Sequence, residues 1–372
     1  MLYLDNSATT PIHPQVKDAM LPYLLEEFGN PSSKYYEAAI NAKEAVKLAR
    51  KNVASLLNCQ PNEIIFTSGS TESNNFIIKG MTDQLKSHGN HIITTNIEHS
   101  SVLEVCKYLQ TIGFELTILE VNAAGHINAE QFLQAIKPTT IFASIQWGNN
   151  ELGSLNPIVK IAEICSKNNI FLHADATQVV GKIEINLEEV DGLNSISISA
   201  HKFYGPKGSG AVYLRRDQYG LYPSITPLIH GGGQEDGLRS GTLAVHNIVG
   251  LGKASEIAKQ NLKKNISQLY ELEAYLIKIL QNKFGNNIKF NYPTQNKIPG
   301  IISVQFIGIN NEILVKKLAP LIALSTGSAC SSSKPSHVLA AIGLNLNEIR
   351  QTIRISLSPY IQQNELNVFN EL

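Results

Sequence analysis

The chain has 372 residues, of which 43% are hydrophobic and 17% are charged. This composition is typical of a globular protein and excludes a collagenous or intrinsically disordered chain. The 31 basic residues balance the 31 acidic ones, so no net charge attracts the protein to nucleic acid or to an anionic membrane.

The cysteines and the N-terminus give no sign of secretion. Cys59, Cys106, Cys165 and Cys330 lie far apart and form no CxxC pair, so neither a disulfide framework nor a zinc site is predicted. The N-terminus reads MLYLDNSATT and does not resemble a signal peptide, and no segment reaches the roughly 18 apolar residues of a membrane span. We therefore expect a cytoplasmic protein with reduced thiols and no membrane partner.

Short apolar runs rich in β-forming residues alternate with amphipathic segments from about residue 36 to residue 250. This alternation predicts parallel βαβ units. We expect a large α/β domain over residues 12–250, with a mainly parallel sheet of seven strands between helices. The predicted strands are 63–66, 91–95, 115–121, 140–146, 170–173, 195–199 and 211–214, and the predicted helices include 38–57, 100–109 and 157–167.

The pattern changes in the last third of the chain. A long helical stretch over residues 245–284 is followed by candidate strands at 288–291 and 301–306 and by helices near Glu312 and Val338. These elements predict a smaller α/β domain over residues 251–372. We assign the extended N-terminal residues 1–11 to the same domain.

Polar residues follow the predicted strands, where the ligand crevice of an open α/β sheet lies. Ser70 and Thr71 stand in a small-residue turn that opens a helix, an arrangement that binds phosphate but is also common in plain helix caps. His99 follows the next strand and could stack on an aromatic cofactor and move protons, or could be a simple loop residue. Asn150 stands in a turn rich in amides, which orient ligands but also occur in ordinary turns.

Two further strand ends carry charged residues. Asp175 ends a buried strand and needs a cationic partner there, such as a pyridinium nitrogen, unless it caps a helix. Lys202 stands at the tip of another apolar strand, where a lysine suggests a Schiff base. The glycine-rich turn that follows, residues 205–210, lacks the GxxxxGKS or GxxxxGKT order of a nucleotide loop, so a nucleotide site is disfavoured.

Cys330 stands alone in a run of small polar residues, 325–333. Free cysteines are usually buried and inert, but this segment is too polar to belong to the core. The sequence therefore predicts an exposed nucleophilic thiol at this position.

Taken in order, these segments resemble the cysteine desulfurases, which belong to the class V aminotransferase group of fold type I enzymes that depend on pyridoxal 5'-phosphate (PLP). The resemblance covers nearly the whole chain. It implies an enzyme that converts L-cysteine to L-alanine and leaves the sulfur as a persulfide on Cys330. Further motifs that carry it are YLDNSATT at 3–10, GNPSS at 29–33, GGGQE at 231–235, RSGT at 239–242 and IRISL at 353–357.

The resemblance also implies a role for each site residue. Lys202 binds PLP covalently and moves the substrate proton, His99 stacks on the cofactor ring, and Asp175 pairs with the pyridine nitrogen. Arg354 holds the substrate carboxylate. The other implied contacts to cofactor or substrate come from Ser70, Thr71, Asn150, Gln178, Ser199, His201 and, in a homodimer, Thr242 of the partner subunit.

Two alternative functions remain open at this stage. The first is another PLP reaction, such as that of a selenocysteine lyase or an aminotransferase, although Cys330 argues against a plain aminotransferase. The second is a sulfur-relay scaffold with a vestigial site, against which the intact Lys202, Asp175 and His99 argue. A desulfurase would pass its sulfur to an acceptor protein that serves iron-sulfur assembly, tRNA thiolation or DNA phosphorothioation, without binding nucleic acid itself.

Among the departures of the sequence from the family pattern, two concern access to the site and delivery of the sulfur. Lys34, Tyr35 and Tyr36 replace the usual histidine and glycine after the GNPSS motif, so access to the site is expected to differ. The segment between Cys330 and the Pro335-Ser336-His337 sequence is shorter than in the housekeeping desulfurases. The sequence therefore leaves the identity of the sulfur acceptor open.

Overall fold

The computed structural model describes residues 1–291, 293, 295–327 and 335–371. Cys330 therefore lies outside the described residues. The strands are β1 (Leu2–Tyr3), β2 (Ile64–Thr67), β3 (His91–Thr95), β4 (Glu115–Leu119), β5 (Thr140–Ser144), β6 (Phe171–Asp175), β7 (Ser195–Ser199), β8 (Gly210–Leu214), β9 (Ile288–Phe290), β10 (Ile301–Phe306), β11 (Ile322–Ala323) and β12 (Thr352–Ser356).

Ten α-helices connect or flank these strands in the part of the chain that is described. They range from four residues to the forty of α7. The helices are α1 (Pro14–Leu25), α2 (Glu37–Leu57), α3 (Ser70–Leu85), α4 (Ser100–Thr111), α5 (Ala129–Gln134), α6 (Ile158–Lys167), α7 (Val245–Phe284), α8 (Asn311–Leu318), α9 (His337–Ala341) and α10 (Leu346–Ile349).

The large sheet has seven strands in the order β2-β8-β7-β6-β5-β3-β4. β8 runs antiparallel to both of its neighbours, and all the other neighbouring strands are parallel. The predicted fold class, a mainly parallel seven-stranded sheet between helices, is thus confirmed. Because β3, β5, β6 and β7 point the same way, the polar residues that follow them meet along one edge of the sheet.

Side-chain burial explains why these strands could be predicted from the sequence. Every residue of β3, β5, β6, β7 and β8 is buried, whereas β4 at the sheet edge is partly exposed. Buried parallel strands are near-continuous apolar runs, and such runs are the clearest strand signal. The predicted bounds of β3, β7 and β10 match the observed ones, and the other predicted strands differ by one or two residues at an end.

The long helix α7 joins two hydrophobic clusters. Leu251, in its first half, belongs to the cluster beneath the large sheet. Leu272, in its second half, packs in a cluster with Leu4 and with residues of β10 and β12. The predicted domain boundary at residue 250 falls inside this continuous helix, and the division into two domains stays a prediction.

The N-terminal segment lies against the C-terminal part of the chain. β1 pairs in parallel with β11, and Asp5 forms an isolated bridge with Ser356 of β12. Asn6 Nδ2 donates a hydrogen bond to the Ser356 carbonyl oxygen, 2.9 Å away. These contacts bring the main chain at Ser7 and Ala8 to the edge of the large sheet. No helix within the described residues is long and apolar enough to cross a membrane.

Candidate active site

A cavity of about 430 Å³ opens at the carboxyl ends of the parallel strands. Small-molecule sites commonly have volumes of about 300–1,000 Å³. Thr242 is exposed on this chain and lies outside the cavity lining. The predicted residues that line the cavity are Ser70, Thr71, His99, Asn150, Asp175, Gln178, Ser199, His201, Lys202 and Arg354.

Lys202 enters the cavity from a short 3-10 turn that follows β7. Its Nζ donates hydrogen bonds to the carbonyl oxygens of Ser7, 2.7 Å away, and Ala8, 2.8 Å away. The N-terminal segment thus orients the lysine amine. Most strands of the large sheet lie between this segment and Lys202 in the sequence.

Asp175 ends β6 and is only 3% exposed. Its Oδ2 accepts a hydrogen bond from Asn74 Nδ2 at 2.9 Å, and its Oδ1 accepts one from the backbone N–H of Thr177 at 3.0 Å. In the described part of the chain these hydrogen bonds come from neutral groups. A buried carboxylate with neutral donors is favourably placed to pair with a cationic ring nitrogen.

His99 forms the N-cap of α4 and has a defined tautomer. Its Nδ1 accepts a hydrogen bond from the backbone N–H of Ser101 at 3.1 Å, so a neutral ring carries its proton on Nε2. Burial lowers the pKa of His99, which favours that neutral ring near pH 7. Asn74 donates to Ser101 Oγ as well as to Asp175, and it therefore links the histidine to the carboxylate.

The start of α3 lies at one end of the cavity. Gly69 at its N-cap has φ +149° and no side-chain cap satisfies the first turn, so the first N–H groups of the helix are available to a phosphate. A Cβ atom on Gly69 would lie 3.6 Å from Ser199 Oγ, which shows how close that hydroxyl is to the turn. Burial, together with nearby Lys202 and Lys207, lowers the pKa of His201 to about 4. Its imidazole is therefore neutral near pH 7.

Arg354 is almost fully buried in β12, with 2% of its surface exposed. Its Nη1 donates to the carbonyl oxygens of Asn150 at 3.1 Å and Gly327 at 2.9 Å, and its Nη2 donates to Asp5 Oδ1 at 2.7 Å. Its Nε has no hydrogen-bond partner among the described residues. The guanidinium is thus held in one orientation by two main-chain carbonyl oxygens and one carboxylate, and it forms part of the cavity wall.

Glu151 contacts the chain on the C-terminal side of the segment that contains Cys330. Its Oε2 accepts a hydrogen bond from Ser336 Oγ at 2.6 Å, and burial raises its pKa. On the N-terminal side of that segment, the Gly327 carbonyl oxygen accepts a hydrogen bond from Arg354 Nη1. Both ends of the chain between residues 327 and 336 are therefore attached to groups that line the cavity.

The sequence did not indicate that Glu98, the residue before His99, is a buried carboxyl group with a raised pKa. Its Oε1 accepts hydrogen bonds from Thr95 Oγ1 and the Gln146 N–H, both at 2.7 Å, whereas its Oε2 has no partner in the described structure. Burial raises the pKa of Glu98 to about 8. The carboxyl is therefore protonated in the folded protein near pH 7, a property that only its complete burial reveals.

The stability of the protein should consequently depend on pH through Glu98. An unfolded glutamate ionises near pH 4.3, so between about pH 5 and pH 8 the folded state keeps a proton that the unfolded state has lost. Over this range Glu98 contributes a fall in the free energy of unfolding of about 1.4 kcal/mol per pH unit. Glu98→Gln keeps the shape without a titrating group and should remove this slope. Urea unfolding of both proteins from pH 5 to pH 8 measures it.

The matched control is Glu104→Gln, at an exposed position of α4. This variant should follow the wild-type pH dependence. A constant difference between wild type and Glu98→Gln over the whole pH range would contradict the protonated state of Glu98.

Comparison with known proteins agrees with this geometry. The class V aminotransferase family model matches residues 2–369. The chain belongs to this family. A cysteine desulfurase IscS from Dictyoglomus turgidum is 42% identical to it over 369 residues, which cover 98% of this chain and 92% of that relative.

Solved structures give the same result. A NifS-like protein superposes with a TM-score of 0.91 at 37% identity, covering 100% of this chain and 97% of the other. A structure described as SspA in complex with cysteine has a TM-score of 0.84 at 38% identity, covering 97% and 100% of the two chains. The predicted membership of the cysteine desulfurase group is thereby confirmed.

Proposed function

We propose that this chain is a PLP-dependent cysteine desulfurase that converts L-cysteine to L-alanine and carries the sulfur as a persulfide on Cys330 for an acceptor protein. The observation that carries this proposal is the cavity in which Lys202, Asp175 and His99 meet beside Arg354. Membership of the family and the 42% identity to an IscS desulfurase support it, and the cysteine bound to the related SspA supports the substrate.

The residues of the cavity fit PLP. Lys202 would bind it covalently, Asp175 would pair with its pyridine nitrogen, and His99 would stack on its ring. Gln178 and Asn150 would contact the ring oxygen and the substrate. The start of α3, with Ser70, Thr71, Ser199 and His201, would hold the phosphate. When bound, PLP supplies an electron sink for bond changes at the substrate carbons.

The proton transfers and the orientation of the substrate depend on side chains and main-chain groups of this protein. The Ser7 and Ala8 carbonyl oxygens keep the Lys202 amine inside the cavity, where it can move the proton of the substrate Cα. His99, with its proton on Nε2, is a second group that can exchange a proton near pH 7. Arg354 holds the substrate carboxylate and so fixes the direction in which the substrate thiol points.

Cys330 receives the sulfur. Its thiolate attacks the substrate sulfur, and the new S–S bond forms as the C–S bond breaks, so that the carbon fragment keeps the electron pair and is protonated to alanine. An ordinary thiol with a pKa of about 8.5 is mostly protonated at pH 7. The attack therefore requires removal of the thiol proton, a task for which we propose His99 after its ring has passed the Nε2 proton to another group in the cavity.

We also propose a homodimer in which Thr242 of the partner subunit completes the phosphate site. The loop that carries Thr242 is fixed at the surface of its own chain, because Arg50 pairs with Glu235 at 2.6 Å and Arg239 with Glu72 at 2.8 Å. The exposed position of Thr242 would allow contact with a second copy of the chain. Sedimentation analysis should give twice the mass of the chain, and a monomer that binds PLP fully would contradict the shared site.

Arg354→Lys tests the substrate contact. Lysine keeps the charge but loses the planar pair of donors, and the loss of a charge-assisted hydrogen bond should raise the KM for cysteine about 10- to 100-fold. Initial rates over a range of cysteine concentrations measure this change. Arg350→Lys, at an exposed position four residues earlier, is the control and should leave KM unchanged. An unaltered KM in Arg354→Lys would exclude the assigned role.

The direct test of the function supplies the PLP-loaded protein with L-cysteine and measures alanine and sulfide. Release of both products, in the presence of a reductant that cleaves the persulfide, is the expected result. Protein that cannot be loaded with PLP would exclude any PLP enzyme and favour the sulfur-relay scaffold. Turnover of L-selenocysteine without turnover of L-cysteine would favour a selenocysteine lyase.

A further inference from the structure

Lys182 is a second lysine close to Lys202, and the function proposed above gives it no role. It lines a narrow cavity of about 40 Å³ that Lys202 and Ser7 also line. The charged groups that act on it from neighbouring elements are the cations Lys202 and Arg354, of which Arg354 is itself paired with Asp5. Burial and these two cations lower its pKa to about 7. A lysine in such surroundings costs free energy of folding, because its charge is desolvated and repelled.

Hydrogen bonds connect Lys182 to Lys202 through two intermediates. Lys182 Nζ donates to Gln178 Oε1 at 2.7 Å, and Gln178 Nε2 donates to the Ser7 carbonyl oxygen at 2.9 Å. The same Ser7 oxygen accepts the hydrogen bond from Lys202 Nζ at 2.7 Å. The Gln178 side chain takes part in the first two of these hydrogen bonds, and the Ser7 carbonyl oxygen takes part in the last two.

The chemistry of these groups fixes the direction of the whole chain of bonds. An ammonium group only donates hydrogen bonds, and a carbonyl oxygen only accepts them. Lys182 thus requires the oxygen of the Gln178 side chain to face it, and this leaves the amide nitrogen facing the Ser7 carbonyl. An amide turned the other way would place two oxygens against each other at Ser7 and two donors together at Lys182.

We propose that Lys182 is a positioning residue, which fixes the Gln178 amide and, through the Ser7 carbonyl oxygen that Gln178 and Lys202 share, sets the position and electrostatic environment of the Lys202 amine. This inference rests on the proposed function, in which Gln178 contacts the cofactor and Lys202 binds it. The cost of placing a cation beside two others is thereby explained, since strained or unfavourable arrangements are retained where a site needs them.

Lys182→Met tests the proposal, because methionine fills a similar volume without the charge or the donor. Lys182→Met removes the donor to Gln178 Oε1 and the positive charge that Lys182 carries when protonated, so the Lys202 nitrogen should hold its proton more tightly. The pH midpoint of the visible absorbance of the PLP-loaded protein, measured without cysteine, should rise by up to about one unit. The kcat for cysteine should fall about tenfold, as for other supporting contacts, with little change in KM.

Two further variants complete the comparison. Lys182→Arg keeps the charge and the donors, and its absorbance midpoint should lie closer to that of the wild type than does the midpoint of Lys182→Met. Lys263→Met removes a lysine that is 90% exposed and should match the wild type in midpoint and kcat. Thermal unfolding of the cofactor-free proteins should show Lys182→Met to be at least as stable as the wild type.

An unchanged absorbance midpoint together with an unchanged kcat in folded Lys182→Met would overturn the proposal. A midpoint in Lys182→Arg that is shifted as far as in Lys182→Met would overturn it as well. The midpoint is read without substrate, so it tests Lys182 even if the wild type binds PLP but releases no alanine from cysteine. That second result would contradict the proposed function alone.

Discussion

Replacing Lys202 with alanine should abolish the visible absorbance of the PLP-loaded protein and lower the turnover of cysteine at least about 10⁴-fold. Lys202 is the cavity lysine whose amine is held by the Ser7 and Ala8 carbonyl oxygens. Its removal takes away both the covalent attachment of the cofactor and the group that moves the substrate proton. Spectra after dialysis against PLP-free buffer, together with alanine formation, measure the two effects.

The control for this variant is Lys263→Ala, at an exposed site on α7. It should keep both the absorbance and the activity. If Lys202→Ala retained a dialysis-resistant absorbance band, another lysine would bind the cofactor, and Lys182, which lines the adjoining cavity, would be the first to examine.

Replacing Cys330 with alanine should leave the cofactor absorbance intact and lower the formation of alanine and sulfide at least about 100-fold. The three other cysteines of the sequence are not expected to act as nucleophiles in its place. Cys106 and Cys165 are fully buried, and burial raises the pKa of each to about 12. Burial also raises the pKa of Cys59 far above its usual range. Because only the thiolate is nucleophilic, these three are inert near pH 7.

Mass spectrometry of the protein after reaction with cysteine separates the roles of the thiols. Wild type and Cys59→Ala should each gain the mass of one sulfur atom on the peptide that contains Cys330. Cys330→Ala should gain none. A persulfide on another cysteine, or undiminished alanine formation in Cys330→Ala, would contradict Cys330 as the sulfur acceptor.

Several elements could be predicted from the sequence because their causes are local. The strands β3 and β7 are short apolar runs with polar residues at their ends, and their bounds match the prediction. The same reasoning predicted that Asp175 and Lys202, at the ends of β6 and β7, would share one crevice, and both line the cavity. Helix α1 was not predicted, since several of its apolar residues face solvent and its periodicity is weak.

Other properties depend on residues that are distant in the chain. Ser7 and Ala8 meet the amine of Lys202 across more than 190 residues. The carboxyl of Glu98 keeps its proton only because it is fully enclosed. Arg354 is recognisable in a sequence motif, but its rigid attachment to Asp5, Asn150 and Gly327 is a property of the packed structure.

The sequence by itself determined which reactive side chains follow which strands, and therefore the class of chemistry, because residue type and hydrophobic pattern are local properties. Only the tertiary structure decided how those groups are oriented and charged. The direction of the Gln178 amide, the proton on Glu98 and the cationic surroundings of Lys182 all depend on neighbours from remote segments. Hydrogen-bond geometry and desolvation arise from packing in three dimensions, and spacing along the chain does not contain them.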